Sequence, residues 1–446
     1  MHGSRARGRS AKAPRSLDDY TMRRVPERAK RVWYVMLVQR LGQLSALTQF
    51  MIGTTLGMGM TFRDAVIAIT IGSVFLELVT ILTGIAGMRE GLPTALLARW
   101  TGFGGGGSAI VGLVIVLTTV GWFGIQNTFL ARSLERTVGG PQWAWCLLGG
   151  AIVIAVVVYG FASMTWVAFA VVPLFLALIA FTVLRTLNAH SPADLVTSPP
   201  PGSPLTIGAG ATLVAGGFIV GAIFTPDMTR FNRSASDVVK QTVVGVTVGE
   251  YTVCLSGVLL AHATGSSDIV AIVLGSGGVV AAVIVITAVL KVNDWNLYAS
   301  SLATVNSVDV LFGGRRPSRV VVAVTLGSAG SALSAVGIIE QFTPLLTAMG
   351  VVLPPVAGIM IAEYFVVRTW RGALDDARRR GELPAEPPRW SIPCLAVWAA
   401  SAAGGHWLQF GVPALNSIAL AFGLYSALGR LGSTGGTRGT RSGRTA

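Results

Sequence analysis

The sequence predicts an all-α integral membrane protein, and three observations carry that prediction. Hydrophobic residues make up 52% of the 446 and charged residues only 12%, too few charges to clothe a soluble surface. Apolar segments recur along the chain, each about 17–25 residues and so long enough to cross the hydrocarbon core as helix. Lysine and arginine concentrate in alternate connecting segments, as membrane orientation requires.

Taken in order, the segments fall near 41–60, 65–88, 108–131, 143–160, 164–185, 207–225, 242–262, 276–303, 319–338, 343–367, 392–408 and 412–430, twelve in all. With the amino terminus inside, 29 of the 34 Lys/Arg lie in cytoplasmic segments. Arg63, Arg132, Arg136 and Arg185 fall outside, and Lys291 falls within a span. A wrongly added span would degrade this asymmetry. The expectation is a multi-pass plasma-membrane protein with both termini cytoplasmic and lipid around it.

The net charge of +14 sits in tails and loops, which reads against nucleic acid as a partner. Residues 1–40 carry eleven Lys/Arg and no continuous apolar core, a pattern expected of a mobile cytoplasmic tail rather than a signal peptide. The Gly/Ser/Thr/Arg-rich end, 431–446, is expected to be disordered. Cys146, Cys254 and Cys394 lie in apolar runs and read as packing residues. His190, His262 and His406 show no paired spacing, so no metal is expected.

Two spans differ from ordinary membrane helices. The first carries Gly42, Gly53, Gly57 and Gly59 among polar residues, and the sixth carries Gly208, Gly210, Gly216, Gly217 and Gly221 before Pro226. Five helices apart, they run in opposite directions. Glycine-interrupted helices at matching positions of two inverted halves point to a midplane binding site, although glycine also serves close helix packing.

In the third span, Thr119, Trp122 and Gln126 share one face. An indole with a carboxamide one turn away suits a flat heteroaromatic ligand, which the ring stacks on and the amide hydrogen-bonds. Phe218 could supply a second ring. Either aromatic alone reads first as a core or lipid-facing residue.

The eighth span places Lys291 after a long uncharged run. A charge at the bilayer centre costs roughly 2.5–3.5 kcal/mol on insertion scales and usually marks a pathway or coupling site. The alternative is that Lys291 only neutralises Asp294, three residues on. Glu77 and Glu250 also fall within spans and are candidate proton partners. Asp227, Arg230 and Arg233 read as topology and gate residues at the cytoplasmic end of the sixth helix.

Several motifs now accumulate in order: Gly121-Trp122-Phe123-Gly124-Ile125-Gln126, Thr225-Pro226-Asp227-Met228-Thr229-Arg230-Phe231, and Asn293-Asp294 followed by Leu297-Tyr298-Ala299-Ser300. Leu96-Leu97-Ala98-Arg99, Leu353-Pro354-Pro355 through Ala362-Glu363-Tyr364, and Gly405-His406-Trp407-Leu408 join them. From about 42 to 428 the chain resembles the nucleobase–cation symporter-1 family, and within it the bacterial cytosine permeases. The resemblance implies a leucine-transporter-like fold of 5+5 inverted repeats, one over about 41–185 and one over about 207–367, with extra helices over about 392–430. It implies secondary transport of a nucleobase or similar planar heterocycle by alternating access.

Residue by residue, the resemblance implies that Trp122 and Phe218 sandwich the base, with Gln126, Asn293 and the Gly217 backbone contacting it. Cytosine permeases have Gln at the position of Thr119 and Ser at those of Gly217 and Val220. Polar contacts of this kind dominate discrimination, so the base stays open among cytosine, other pyrimidines and purines. At the ion site of sodium-coupled relatives the corresponding region is Gly42 to Ala46 with the Ala288 carbonyl. Lys291 and Val292 stand where those relatives have two hydroxyl residues. A hard cation needs oxygen ligands, so an ammonium in its place implies coupling to H+, or none, rather than to Na+. No cofactor is expected.

A sodium-coupled symporter of hydantoin- or allantoin-type ligands is the alternative within the family. A membrane-embedded enzyme would want clustered acids, a metal motif or an activated nucleophile, and the sequence presents none. A channel would want a repeated carbonyl filter, equally absent from the sequence.

Overall fold

The computed structural model describes residues 17–267, 272, 278–337, 350–408 and 412–435. Helix occupies each of the twelve expected spans within them, and the only β feature among them is an isolated bridge between Arg31 and Asn232. The start of the span expected from 343, and the tails 1–16 and 436–446, lie outside the described residues.

The first span is two helices, α1 (Trp33–Leu44) and α2 (Leu47–Gly59), separated at Ser45 and Ala46. It begins well before the expected start near 41. Residues 17–40, expected to belong to a mobile tail, instead pack on the helical body. Arg319 of the ninth span donates to the Leu17 carbonyl, and the Arg31 amide donates to Phe231 O at 2.6 Å. Arg40, which sequence order places in the tail, is a fully buried member of α1.

Next come α3 (Phe62–Glu90), the short α4 (Thr94–Leu97), α5 (Gly104–Val138), α6 (Gln142–Val158) and α7 (Phe161–Ala189). Local chemistry sets their ends. Thr61 caps α3 by accepting from the Asp64 amide, and Gly91 closes it with φ 63°, a left-handed conformation that glycine adopts without penalty. After α8 (Pro192–Thr197), the sixth span is again broken, into α9 (Ile207–Ile223) and α10 (Pro226–Thr229). Proline at the start of α10 has no amide to continue the ladder of α9.

Then follow α11 (Ala235–Thr264), α12 (Gly278–Leu311), α13 (Arg319–Ala335) and α14 (Pro354–Ile361), which runs on as a π-helical turn over Ala362–Val367. A short amphipathic α15 (Arg371–Arg380) leads to the last two spans, α16 (Ile392–Trp407) and α17 (Pro413–Gly435). The final helix thus runs into the stretch expected to be disordered.

The glycines of the broken helices do not mark the breaks. A Cβ on Gly57 would lie 2.7 Å from the Val258 carbonyl oxygen, and one on Gly257 would lie 2.6 Å from Phe50 O. The α2 and α11 backbones therefore touch, the close approach that small residues permit between membrane helices. The long α12 packs along α5, and α16 and α17 pack with α14. On α3, Ile71, Val74 and Leu78 are exposed at one-face spacing, an apolar stripe suited to lipid. Five described helices, including α3, α5 and α11, are long and apolar enough to cross a membrane.

Candidate functional site

A cavity of about 70 Å³ lies where the breaks of the first and sixth spans face α5 and α12, several times the roughly 10–15 Å³ one water needs. Trp122 and Gln126 of α5, Gly217 and Phe218 of α9, and Ala46 at the first break all line it. These are five of the residues singled out from sequence. Among the described residues Trp122 and Phe218 make no ring contact with each other. Both line the cavity.

Thr119 and Asn293, expected to touch the ligand, do not line it. The Thr119 hydroxyl donates back to its own helix at Ile115 O, 2.7 Å away, so it is spent on backbone. Asn293 is fully buried. Its Nδ2 donates to Phe123 O at 3.0 Å and its Oδ1 accepts from Asn296 Nδ2 at 3.2 Å. Asn293 therefore clamps α12 to α5 and positions Asn296, which does line the cavity.

Gln43, Gln49 and Trp295 also line the cavity, and sequence reasoning missed them as ligand contacts. Their signal was present: glutamines in an apolar span, and a tryptophan one helical turn after Lys291. Gln126 Oε1 and Gln49 Oε1 are buried and accept no hydrogen bond from the protein. Leaving such a group unsatisfied costs about 1–3 kcal/mol, which a ligand N–H would offset. Gly217 faces Gln49 Oε1, which a Cβ there would approach to 2.8 Å, so glycine keeps that oxygen clear.

Behind the cavity wall, Gln49 Nε2 donates to Glu250 Oε1 at 2.5 Å, and the Cys254 thiol donates to Glu250 Oε2 at 3.3 Å. Glu250 is fully buried and one side chain removed from the cavity. Glu77 is half-buried and accepts from Thr247 Oγ1 at 2.8 Å, away from it.

Lys291 has no exposed surface. Its Nζ donates to Asp294 Oδ2 at 2.6 Å, reaches Met164 O of α7 at 3.5 Å and stands 6.0 Å from the Trp295 ring centre. Its stem covers Gly42. The ammonium is thus turned toward Asp294 and α7 rather than bonded to the Gly42–Ala46 or Ala288 carbonyls; Ala288 itself is buried among apolar neighbours. Neither Lys291 nor Asp294 lines the cavity, whereas Val292 does.

Asp227 and Arg230 are buried beyond α9, and Arg233 is exposed. Asp227 Oδ1 accepts from the Thr94 amide at 2.7 Å, tying α10 to α4. Arg230 Nη2 donates to Tyr298 Oη at 2.7 Å, and that hydroxyl donates to Asp19 Oδ2 at 2.5 Å. The three cysteines are free and buried. Among the described residues no group of three His, Cys, Asp or Glu could hold a metal.

Comparison with known proteins bears on the family and the fold. The family described as permease for cytosine/purines, uracil, thiamine and allantoin matches residues 24–429. Cytosine permeases of Escherichia coli K12 and of Escherichia coli O157:H7 are each 28% identical over 397 residues, 88% of this chain and 90% of theirs. Among solved structures, the nucleobase-cation-symport-1 family transporter Mhp1, closed with bromovinylhydantoin bound, superposes with a TM-score of 0.75 at 19% identity. That match covers 94% of this chain and 97% of the other. A Na+-coupled sialic acid symporter gives 0.70 at 12% identity, covering 94% and 93%. These likenesses show the leucine-transporter-like fold of inverted repeats.

Proposed function

We propose, for a chain that belongs to the permease family for cytosine/purines, uracil, thiamine and allantoin, that the cavity between the broken helices binds its transported ring. The protein is a multi-pass membrane transporter of nucleobase-like heterocycles and not an enzyme. The single observation that carries the site is the lining of one cavity by Trp122, Phe218, Gln49 and Gln126, the two glutamines having buried amide oxygens that no described residue hydrogen-bonds. Ring N–H groups satisfy the oxygens, and the flat faces stack on the aromatics. Alternating access then moves the two repeats, about 41–185 and 207–367, around this point. The matched relatives transport cytosine by name; bromovinylhydantoin, bound in the similar fold, is likewise a flat ring. The distribution of Lys/Arg supports a cytoplasmic location for both termini.

The test is a competition panel of purines, pyrimidines, hydantoin and allantoin in proteoliposomes, alongside Trp122→Ala and Gln126→Ala. Displacement of a labelled base by flat N–H heterocycles, weakened in both variants, is expected. Unchanged affinity in both variants would place the ligand elsewhere.

Lys291 supports a second proposal, that transport runs without sodium and couples to H+ if it is coupled at all. Lys291, held by Asp294, and Val292 stand where sodium-coupled relatives have hydroxyl residues, so α12 offers a hard cation no side-chain oxygen at those two positions. Initial uptake at fixed pH and membrane potential is expected not to change when sodium replaces choline. A rise on adding sodium refutes this.

A further inference from the structure

Arg40 carries a buried positive charge that no acid in the described residues answers. It sits on α1, three residues before the cavity-lining Gln43, and has no exposed surface. Its stem follows a groove at Gly245 of α11, where a Cβ would stand 2.6 Å from its Cγ. Nη1 donates to Gln43 Oε1 at 2.9 Å and Nη2 donates to Thr225 Oγ1, at the break of the sixth span, at 3.1 Å. Nε has no partner. The guanidinium carbon lies 5.7 Å from the centre of the Phe218 ring, which also faces the cavity.

The other buried arginines are answered differently. Arg24 pairs with Glu90, and Arg99 with Asp309. Arg230 donates to the carbonyls of Asp19, Tyr20 and Asp227, and Arg319 to those of Leu17, Val157 and Val158. Of the acids buried in the same part of the core, Asp294 pairs with Lys291, while Glu250 accepts hydrogen bonds from the neutral Gln49 and Cys254 and makes no ion pair with Arg40. A plain latch between α1 and Thr225 would explain the two hydrogen bonds of Arg40 but leaves its charge and its Nε unanswered among the described residues. The charge itself needs another purpose, because an unpaired buried ion is strongly disfavoured.

We infer that the cavity selects a heterocycle that carries negative charge, an oxopurine anion or a pyrimidine carboxylate. Arg40 is the specificity-determining counter-charge, acting from behind Gln43 and Phe218. The inference rests on the reading of this cavity as the transport site and adds the ligand's charge to it. With little solvent between them, the guanidinium field reaches the cavity barely screened. The amide oxygens of Gln49 and Gln126 read ring N–H groups, Trp122 and Phe218 read flatness, and Arg40 reads charge. Discrimination between rings of equal shape then comes from an ionic interaction that the neutral ring lacks.

The test uses full-length protein in proteoliposomes at constant salt, with two ligand pairs that each set an anion against a neutral ring of the same skeleton: orotate against uracil, and urate against hypoxanthine. Wild type is expected to bind the anion of each pair at least tenfold more tightly. Arg40→Gln, which keeps hydrogen-bonding capacity but removes the charge, is expected to bring both ratios to about one, and Arg40→Lys to retain part of them. Should Arg40→Gln fail to fold, wild type alone decides. The affinity for xanthine relative to uracil should rise at least fivefold with pH as the xanthine ring ionises. Equal or better binding of the neutral partners by wild type overturns the inference while leaving the transport site in place. So does an Arg40→Gln variant that weakens both members of a pair alike, since that is the behaviour of a latch. Failure of every heterocycle to bind wild type overturns both readings.

Discussion

The aliphatic stem of Lys291 lies across Gly42, so that a Cβ on Gly42 would stand 2.6 Å from both its Cγ and its Cε. The lysine and the missing side chain are one feature: α12 sends a long cation over α1, and α1 makes room for it. Gly42→Ala is therefore expected to destabilise the protein by ~1–3 kcal/mol through overpacking. Thermal unfolding in detergent measures it. The cost should shrink in a Lys291→Ala/Asp294→Asn background, where the stem is gone, and an equal cost in both backgrounds would break the link.

The Lys291–Asp294 pair has no exposed surface on either side chain. Asp294→Asn alone leaves an ammonium without its counter-charge and is expected to cost about 3–5 kcal/mol, whereas Lys291→Met/Asp294→Leu together should be far milder. A double variant as unstable as the single one would show that the pair does more than neutralise itself.

The cavity makes a contrast within one helix face. Trp122→Ala is expected to weaken the binding of a flat base by about 1–3 kcal/mol, the range seen for aromatic stacking, or roughly fivefold to 150-fold in Kd. Thr119→Val should leave Kd unchanged, because the Thr119 hydroxyl is spent on Ile115 O. Isothermal titration of the purified protein reads both, and a large loss in Thr119→Val would return that residue to the ligand.

Arg378 joins two carboxyls of unequal burial. Glu90 is fully buried between Arg24, Arg378 and Tyr364, while Asp375 on α15 is partly exposed. Glu90→Gln is expected to cost about 3–5 kcal/mol and Asp375→Asn no more than ~1 kcal/mol. Burial pushes the Asp375 carboxyl up, but the Arg371 and Arg378 guanidiniums outweigh it and hold it below the ordinary carboxylate range. Its small contribution is then present above about pH 4, near the unfolded value, and is lost as pH falls through the lower folded value. Wild type and Asp375→Asn should converge in stability on acidification, measured by thermal unfolding from pH 6 to pH 3.

Much of the architecture was legible from order along the chain. Span length, hydropathy and the Lys/Arg alternation are local quantities, and they located helix at each of the twelve spans. The face of Thr119, Trp122 and Gln126 pointed to the cavity because helical periodicity is set by the backbone alone. The exact break in the first span was not legible. Its glycines pack α2 on α11, and the interruption falls at Ser45 and Ala46, where no proline announces it.

What the sequence by itself determined is the class of the protein, the course of its spans, Trp122 and Gln126 as one wall of a site, and a lysine that membrane burial had to explain. Only the tertiary structure decided which polar groups are left over. Asn293 and Thr119 spend their hydrogen bonds on backbone and neighbouring residues, while Gln49 and Gln126 line the cavity and their buried amide oxygens accept from no described residue. Arg40 passed for one more charge of a basic tail until α1 was seen to bury it beside Phe218. The reason is physical. A residue's type states which bonds it can make, but satisfaction and burial depend on partners from distant parts of the chain, and those meet only in the fold.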